Sequence, residues 1–290
     1  MQVFINIVIS FTIYVLIAIS YSIIYHPTRF FHLAHAAIIT IGAYFIFFFT
    51  HEFLIPFSFS IALAIVSTTL LGISCEILIY RQMRKKTAPA LAYLIASIGL
   101  YVVLQNCISL FFGDDTKIIN TSNIVIGNQI FDAYITTIQI IIIIISIALF
   151  ITVNLFLHFT AIGKSIRAVS SNPDLCNIYG ISSNKIILIA FGIGSTLAAT
   201  AGILSAMDTN MTPTFGFNLL LYGMVAMVIG GVGSTSGLIA GSLLVATAQN
   251  LAAYYIDTKW IDAVTYIILI LFLIWKPLGF SGKRLKKVEV

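Results

Sequence analysis

Charged side chains are scarce in this sequence. Of its 290 residues only 9% are Asp, Glu, Lys or Arg, against about 25% in an ordinary soluble domain, whereas 60% are hydrophobic. Long apolar runs recur along the whole sequence, and each is long enough to cross a hydrocarbon core of about 30 Å as a helix. This pattern leaves no room for a soluble domain. It predicts an all-α polytopic membrane protein with one transmembrane domain, residues 1–290.

Cysteines and catalytic motifs are also rare. Cys75, Cys107 and Cys176 are scattered, which gives neither a disulfide framework nor a metal spacing. The sequence has no G-x-x-x-x-G-K-[ST] phosphate loop, no H-E-x-x-H and no G-x-S-x-G, so it lacks the usual parts of a nucleotide-hydrolysing or peptidase site. We therefore expect no enzymatic activity and no cofactor bound by this chain. If ATP drives the protein, another subunit hydrolyses it.

The apolar runs predict eight or nine transmembrane helices, eight if one of them is re-entrant. Their expected bounds are 3–24, 33–50, 57–80, 89–112, 135–158, 186–206, 217–232, 236–253 and 262–275. Lys and Arg concentrate in residues 81–86, 163–185 and 283–287, and the positive-inside rule places these three stretches in the cytoplasm. The N-terminus is then outside and the C-terminus cytoplasmic. Because the cations gather at span ends and form no groove with exposed aromatic residues, nucleic acid is not an expected partner, whereas membrane lipid is.

A polar segment, residues 159–185, lies between two predicted spans. A connection between antiparallel membrane helices needs only a few residues. This longer segment therefore predicts a short helix outside the bilayer. It has a basic start at Lys164 and Arg167, a helix break at Asn172-Pro173 and a helix end at Gly180. We expect a cytoplasmic partner to dock there. Arg167 suits docking because its planar fork can hold carboxylates or carbonyls; the alternative is an ordinary positive-inside anchor.

Small residues recur every four positions at two places, which permits close helix approach in a membrane. These stripes are Gly194, Ala198 and Gly202, and Gly233, Gly237 and Gly241. The stretch 230–237 also separates two short predicted spans, and short glycine-interrupted helices in transporters tend to line a pathway. The stretch 30–44 is a second candidate, since it begins with polar groups near a proline and ends close to a glycine. Pathway lining and plain packing both stay open.

Polar side chains within the apolar runs are few. His32 and His35 could share a helix face and a metal, but no third ligand is evident, so hydrogen bonding between helices is favoured and pathway lining is the second alternative. Glu76 is the acidic residue well inside a span, which makes it a functional candidate by default. Its position about one turn from Arg81 favours an ion pair or snorkelling over a proton-relay role.

Several segments together resemble the permeases of ABC importers for branched-chain amino acids, specifically the LivH type. The polar segment matches that family's G-x-x-x-R-A-x-x-x-N-P…G-I pattern through Gly163, Arg167, Ala168, Asn172, Pro173, Gly180 and Ile181. Flanking matches are Phe31, Ala34, His35, Gly42, Ala43 and Tyr44; Gly230, Gly231, Gly233, Ser234, Gly237 and Gly241; and the closing stretch 276–282. The resemblance covers nearly the whole chain. It departs at His32, Ala36, Gln249 and Lys276, where the family usually has Asn, Gly, Glu and Arg.

The resemblance implies a multi-pass permease of the bacterial inner membrane. Its expected partners are a second permease subunit, LivM-like or a second copy, two cytoplasmic ATPases that use the ATP, and a periplasmic substrate-binding protein. The resemblance assigns ATPase coupling to a coupling segment, residues 159–185, and within it to Gly163, Arg167, Asn172, Pro173 and Gly180. Pathway or packing roles fall on His32, His35, Gly42, Tyr44, Gly194, Gly202, Gly230, Gly231, Gly233, Gly237 and Gly241.

Leucine, isoleucine and valine are the cargo that the resemblance implies. Urea or short amides are an alternative, because closely related permeases carry them. An ion- or proton-coupled carrier or a channel that acts alone is the alternative from another class. That mechanism requires charged relay groups within the spans, and Glu76 is the one good candidate.

Overall fold

The computed structural model describes residues 1–119, 127–130 and 133–280, and this part of the chain is mostly helical. The helices are α1 (Gln2–Thr28), α2 (His35–His51), α3 (Phe57–Cys75), α4 (Arg81–Lys85), α5 (Ala90–Phe112), α6 (Thr137–Phe159), α7 (Ala161–Ser171), α8 (Pro173–Ile178), α9 (Ser183–Asp208), α10 (Phe215–Gly230), α11 (Thr235–Tyr255) and α12 (Ile261–Trp275). A π-helical turn, Glu76–Tyr80, joins α3 to α4, and a 3₁₀ turn, Thr258–Trp260, precedes α12. The predicted all-α polytopic class is confirmed.

Seven stretches of helix among the described residues are long and apolar enough to cross a membrane: α1, the continuous helix 57–85, α5, α6, α9, α11 and the stretch 258–275. The apolar helices α2 and α10 are shorter, with 17 and 16 residues, or about 25 Å each at 1.5 Å per residue. These nine helices follow the nine predicted spans in order. The count therefore agrees with the sequence-based expectation.

The start of the fifth span differs from its predicted position at residue 135. Residues Ala133–Ile135 form β2, which pairs antiparallel with β1 (Asn128–Ile130), and α6 begins at Thr137. A capping box fixes this start: Thr136 N–H donates to Gln139 Oε1 at 3.1 Å, and Gln139 N–H donates to Thr136 Oγ1 at 3.2 Å.

The described residues divide into two compact units, so the expected single domain over 1–290 stays a prediction. Unit 2 contains the described residues of 20–119 and 153–220. Its central element is α2, which packs against α3, α5 and α9, and whose residues from His35 to Tyr44 are all buried. Tyr44 packs on Phe112 with ring centroids 5.1 Å apart. Because its own unit encloses it, α2 is a core helix.

Unit 1 contains the described residues of 1–19, 120–152 and 221–284. A buried hydrogen-bond chain links three of its helices: Tyr14 of α1 donates to Gln249 Oε1 of α11 at 2.5 Å, and Gln249 Nε2 donates to Thr265 Oγ1 of α12 at 2.7 Å. The basic tail 283–287, the last two residues of the closing family element and Asp132 lie outside the described residues.

Candidate functional site

The coupling segment consists of two short helices, α7 and α8, where the sequence predicted one. Thr160 caps α7, because its Oγ1 accepts from Gly163 N–H at 3.0 Å. Asn172 is extended and its Oδ1 accepts from Leu175 N–H at 2.9 Å, while Pro173 occupies the first helical position, which tolerates proline. Asn172-Pro173 therefore ends α7 and also starts α8.

Two glycines of this segment occupy positions that disfavour a side chain, Gly163 by close contact and Gly180 by its backbone conformation. A Cβ at Gly163 would come 2.5 Å from Leu157 Cα at the end of α6, so glycine allows α7 to turn closely against that helix. Gly180 has φ +81°, the left-handed conformation that commonly follows a helix. Ile181 N–H then donates to Cys176 O at 2.9 Å. Both residues shape the segment, and their role in ATPase coupling stays a prediction.

The inner face of the coupling segment packs against α9. Ile166, Val169 and Cys176 are buried with Ile186 in one apolar cluster. Polar contacts add to this, since Ser183 Oγ donates to Pro173 O at 2.8 Å. The segment and the start of α9 therefore form one packed body.

The outer face of the segment carries Arg167 and an apolar patch that the sequence analysis missed. Arg167 is exposed, and its guanidinium lies 3.4 Å from His158 O at the end of α6. Leu175, Ile178 and Tyr179 are 49%, 80% and 77% exposed. Clustered exposed apolar side chains mark interaction surfaces. The available signal was an apolar pair directly before the Gly180 stop in an otherwise polar stretch.

Glu76 forms an ion pair, but its partner is Arg84 and not the predicted Arg81. Glu76 is fully buried. The π-helical turn lies between the two residues: it advances about 80° per residue where an α-helix advances about 100°. Over five residues this turns the following helix back by about a quarter turn, which brings Arg84 onto the face of Glu76.

A cleft of about 400 Å³ lies beside the coupling segment within unit 2. Residues at the ends of α1 and α4 line one part of it, including Arg29, Arg84 and Lys85, and residues of α8 and α9 line another, including Asp174 and Asn184. Arg84 Nε donates to Asn184 Oδ1 at 3.4 Å. The cleft brings the basic stretch 81–86 and the coupling segment to the same end of this unit.

The two predicted histidines lie in a buried polar cluster at the base of α2. His32 Nδ1 lies 3.0 Å from Tyr80 OH, and His35 Nε2 lies 3.0 Å from Ser20 Oγ. Among residues 1–119, 127–130 and 133–280 no group of three or more His, Cys, Asp and Glu side chains could hold a metal ion. The observed contacts are the hydrogen bonds between helices that the sequence favoured.

The predicted small-residue positions lie at close helix crossings. In unit 2, Gly42 lies against Ala199, Gly194 against Ser20, and Gly202 against Ile39. In unit 1, Gly230 lies against Gly237, and Gly241 against Ala226; Gly231 and Gly233 have φ +90° and +97° in the turn between α10 and α11. These contacts show packing, and pathway lining stays a prediction for all of these positions.

In the part of the chain that the structure describes, nine apolar helices, with a pair of short polar helices between two of them, define the class of a polytopic α-helical membrane protein. The chain belongs to the family described as branched-chain amino acid transport system / permease component, whose family model matches residues 3–273. It is a transport permease family.

Individual relatives align over most of the chain. The chain is 30% identical over 285 residues to the high-affinity branched-chain amino acid transport system permease protein LivH of Salmonella typhimurium, covering 93% of this chain and 91% of that protein. It is 31% identical over 284 residues to the permease protein BraD of the same type of system in Pseudomonas aeruginosa, covering 93% and 92%. The chain is also 30% identical over 285 residues to the permease protein LivH of Escherichia coli, covering 93% of this chain and 91% of that protein. No solved structure gives a significant match.

Proposed function

We propose that this chain is the permease subunit of an ABC importer for leucine, isoleucine and valine in a bacterial inner membrane. One observation carries the proposal: the similarity to permeases named for branched-chain amino acid transport extends over 93% of the chain and so includes the coupling segment. The chain would work with a second permease subunit, LivM-like or a second copy, and a periplasmic substrate-binding protein. Two cytoplasmic ATPase subunits would use the ATP.

The coupling segment is the proposed docking site for the ATPase. Leu175, Ile178 and Tyr179 offer an exposed apolar surface, with Arg167 on the neighbouring helix as a cation for partner carboxylates or carbonyls. The inner face of the segment packs on α9. A movement imposed by ATP hydrolysis on α7 and α8 would therefore carry α9 with it.

The cargo path is proposed to be mainly apolar, along the stretches 30–44 and 224–241. An apolar path suits side chains such as that of leucine, and a charged cargo would be disfavoured there. The ion pair between Glu76 and Arg84 supports the ATP-driven importer over an ion-coupled carrier, because this carboxylate already has a cation as its partner. A relay that carries protons needs a carboxylate that is free to exchange them.

The cargo is tested by uptake in cells. A strain without this chain is compared with the same strain after the chain is restored, and uptake of labelled leucine is measured at low external concentration. We expect uptake to depend on the chain and to be blocked by excess isoleucine or valine but not by urea or acetamide. Leucine uptake that is independent of the chain, or competition by urea or acetamide alone, contradicts the proposed cargo.

A further inference from the structure

Two arginines from outside α7 and α8 contact the coupling segment at two places. Arg29, just after α1, donates to Ser170 O in the last turn of α7. Arg84, in α4, donates to Asn184 Oδ1 in the first turn of α9. We propose that these two residues, the arginine clamp, are positioning residues that pass movement of the coupling segment to the base of α2. The inference rests on the proposed function, in which an ATPase moves that segment.

Arg29 is well placed to transmit force because the backbone around it is fixed. Its φ is +58°, which is uncommon for a residue other than glycine, and its N–H closes the last turn of α1 by donating to Tyr25 O at 2.8 Å. The next residue, Phe30, is buried. Ser170 O belongs to the last turn of a helix, where carbonyls lack intrahelical partners and a cation is favourable.

Arg84 connects a second point of the coupling segment, Asn184, to the π-helical turn. Besides Asn184, its guanidinium binds Glu76, the fully buried first residue of that turn. Removing the cation would leave a buried carboxylate unpaired, which is strongly unfavourable. Arg84 is therefore held in place by Glu76, and a displacement of Asn184 acts on it through their 3.4 Å hydrogen bond.

Both connections lead to one buried cluster. Phe30 packs on Tyr80, the last residue of the π-helical turn, with ring centroids 4.8 Å apart, and His32 Nδ1 lies 3.0 Å from Tyr80 OH. His32 lies three residues before the first residue of α2, and α2 is the enclosed core helix of unit 2. The coupling segment is thus linked at Ser170 and at Asn184, through one arginine each, to the start of the same helix.

The first test uses the whole complex in proteoliposomes, with ATP hydrolysis and leucine uptake measured in the same vesicles. Arg29→Gln removes the charged donor to Ser170 O. We expect the ATPase to co-purify and hydrolyse ATP with an unchanged KM, while the leucine carried per ATP falls roughly tenfold or more, the size expected for losing a hydrogen bond to a charged group. Arg29→Lys should restore part of the coupling. Lys86 is an exposed cation of the basic stretch 81–86 and lies outside the cleft. Its variant Lys86→Gln should match the unsubstituted complex.

Two outcomes overturn the role of Arg29. One is normal coupling in Arg29→Gln. The other is a proportional loss of hydrolysis and uptake, which would indicate a docking or structural role.

Arg84 needs a paired substitution, because Arg84→Gln alone leaves the Glu76 carboxylate buried without its cation. The double variant Glu76→Gln/Arg84→Gln removes both charges, keeps the shape of the Glu76 side chain and shortens that of Arg84. We expect it to remain monodisperse in detergent and to lose coupling as Arg29→Gln does. Normal leucine transport per ATP in the double variant overturns the role of Arg84.

A second measurement does not depend on the cargo. Backbone hydrogen exchange of residues 29–36 is compared before and after adding a non-hydrolysable ATP analogue. We expect the exchange to change in the unsubstituted complex and not in Arg29→Gln. If the unsubstituted complex carries no leucine but shows this difference, the proposed cargo fails and the clamp stands. Equal changes in both complexes overturn the clamp.

Discussion

Adding a methyl group at Gly237 tests the α10–α11 crossing of unit 1. A Cβ at this position would overlap Gly230 O and lie 2.8 Å from Gly230 C. Both atoms are backbone, so no side-chain rotation can relieve the contact and the two helices must separate by about 1 Å. Overpacking of this kind costs about 1–3 kcal/mol for a small group, and more for a larger one.

Alanine is also a better helix former than glycine by about 1 kcal/mol, which offsets part of this cost. Gly99→Ala on α5 measures that second contribution separately, because a Cβ at Gly99 meets no atom within 4 Å. We expect Gly237→Ala to unfold about 1–3 kcal/mol more easily than Gly99→Ala, measured by thermal unfolding of the purified permease in detergent. Gly237→Leu should abolish uptake.

The partner glycine supplies an internal check. Gly230→Ala puts its methyl group against Gly237 and Leu238 N, so it should destabilise to a similar degree. Once one methyl group has moved the helices apart, the second costs less, and the double variant should be less destabilised than the two single effects added together. Equal stability of Gly237→Ala and Gly99→Ala, or normal uptake with Gly237→Leu, would refute the close-crossing argument.

Further variants at three positions test other parts of the structure. Gln249→Leu removes the hydrogen bonds to Tyr14 and Thr265 and should lower the free energy of unfolding by about 2–4 kcal/mol, since the buried Tyr14 hydroxyl loses its acceptor and the Thr265 hydroxyl loses a donor. His32→Asn should keep the hydrogen bond to Tyr80, because an Asn side chain places a polar atom where Nδ1 stands. His32→Leu should lower the free energy of unfolding by about 1–3 kcal/mol. Thermal unfolding of the purified permease measures the effect of each variant. Ile178→Ser should leave stability unchanged, because the side chain is exposed, but reduce ATPase co-purification; full retention of the ATPase would exclude Ile178 from the docking surface.

Arg167 has its own pair of variants for the docking hypothesis. Arg167→Lys keeps the positive charge but loses the planar fork, so a docking residue would lose much of its ligand-stimulated ATPase activity while membrane insertion is unchanged. An ordinary anchor would tolerate the change. If Arg167→Lys and Arg167→Ala both couple hydrolysis to uptake normally, this residue has no docking role.

The order and approximate bounds of the helices could be predicted because they depend on local signals. Apolar run length sets each span, and residues such as Pro173 and Gly180 mark helix ends by their own backbone preferences. The start of α6 was predicted two residues early, because the apolar run continues through β2. The capping box of Thr136 and Gln139, which fixes that start, was present in the sequence.

Tertiary features of the site were harder to predict. The Asn172-Pro173 pair is compatible with both the end of one helix and the start of another, and the sequence alone does not distinguish a single helix from two. The ion pair of Glu76 depends on a π-helical turn that changes which residues share a face, and no sequence signal marked that turn. The contact of Arg29 could not be predicted from the sequence, because its acceptor, Ser170 O, lies 141 residues further along the chain.

The most direct measurement for the central claim is leucine uptake by proteoliposomes that contain the complex purified through a tag on this chain. An ATP-driven importer requires ATP on the side of the ATPase subunits and the binding protein on the other side, and a hydrolysis-defective ATPase should abolish uptake. A proton or sodium gradient without ATP should drive none. Leucine uptake driven by such a gradient, with this chain alone in the membrane, would contradict the account.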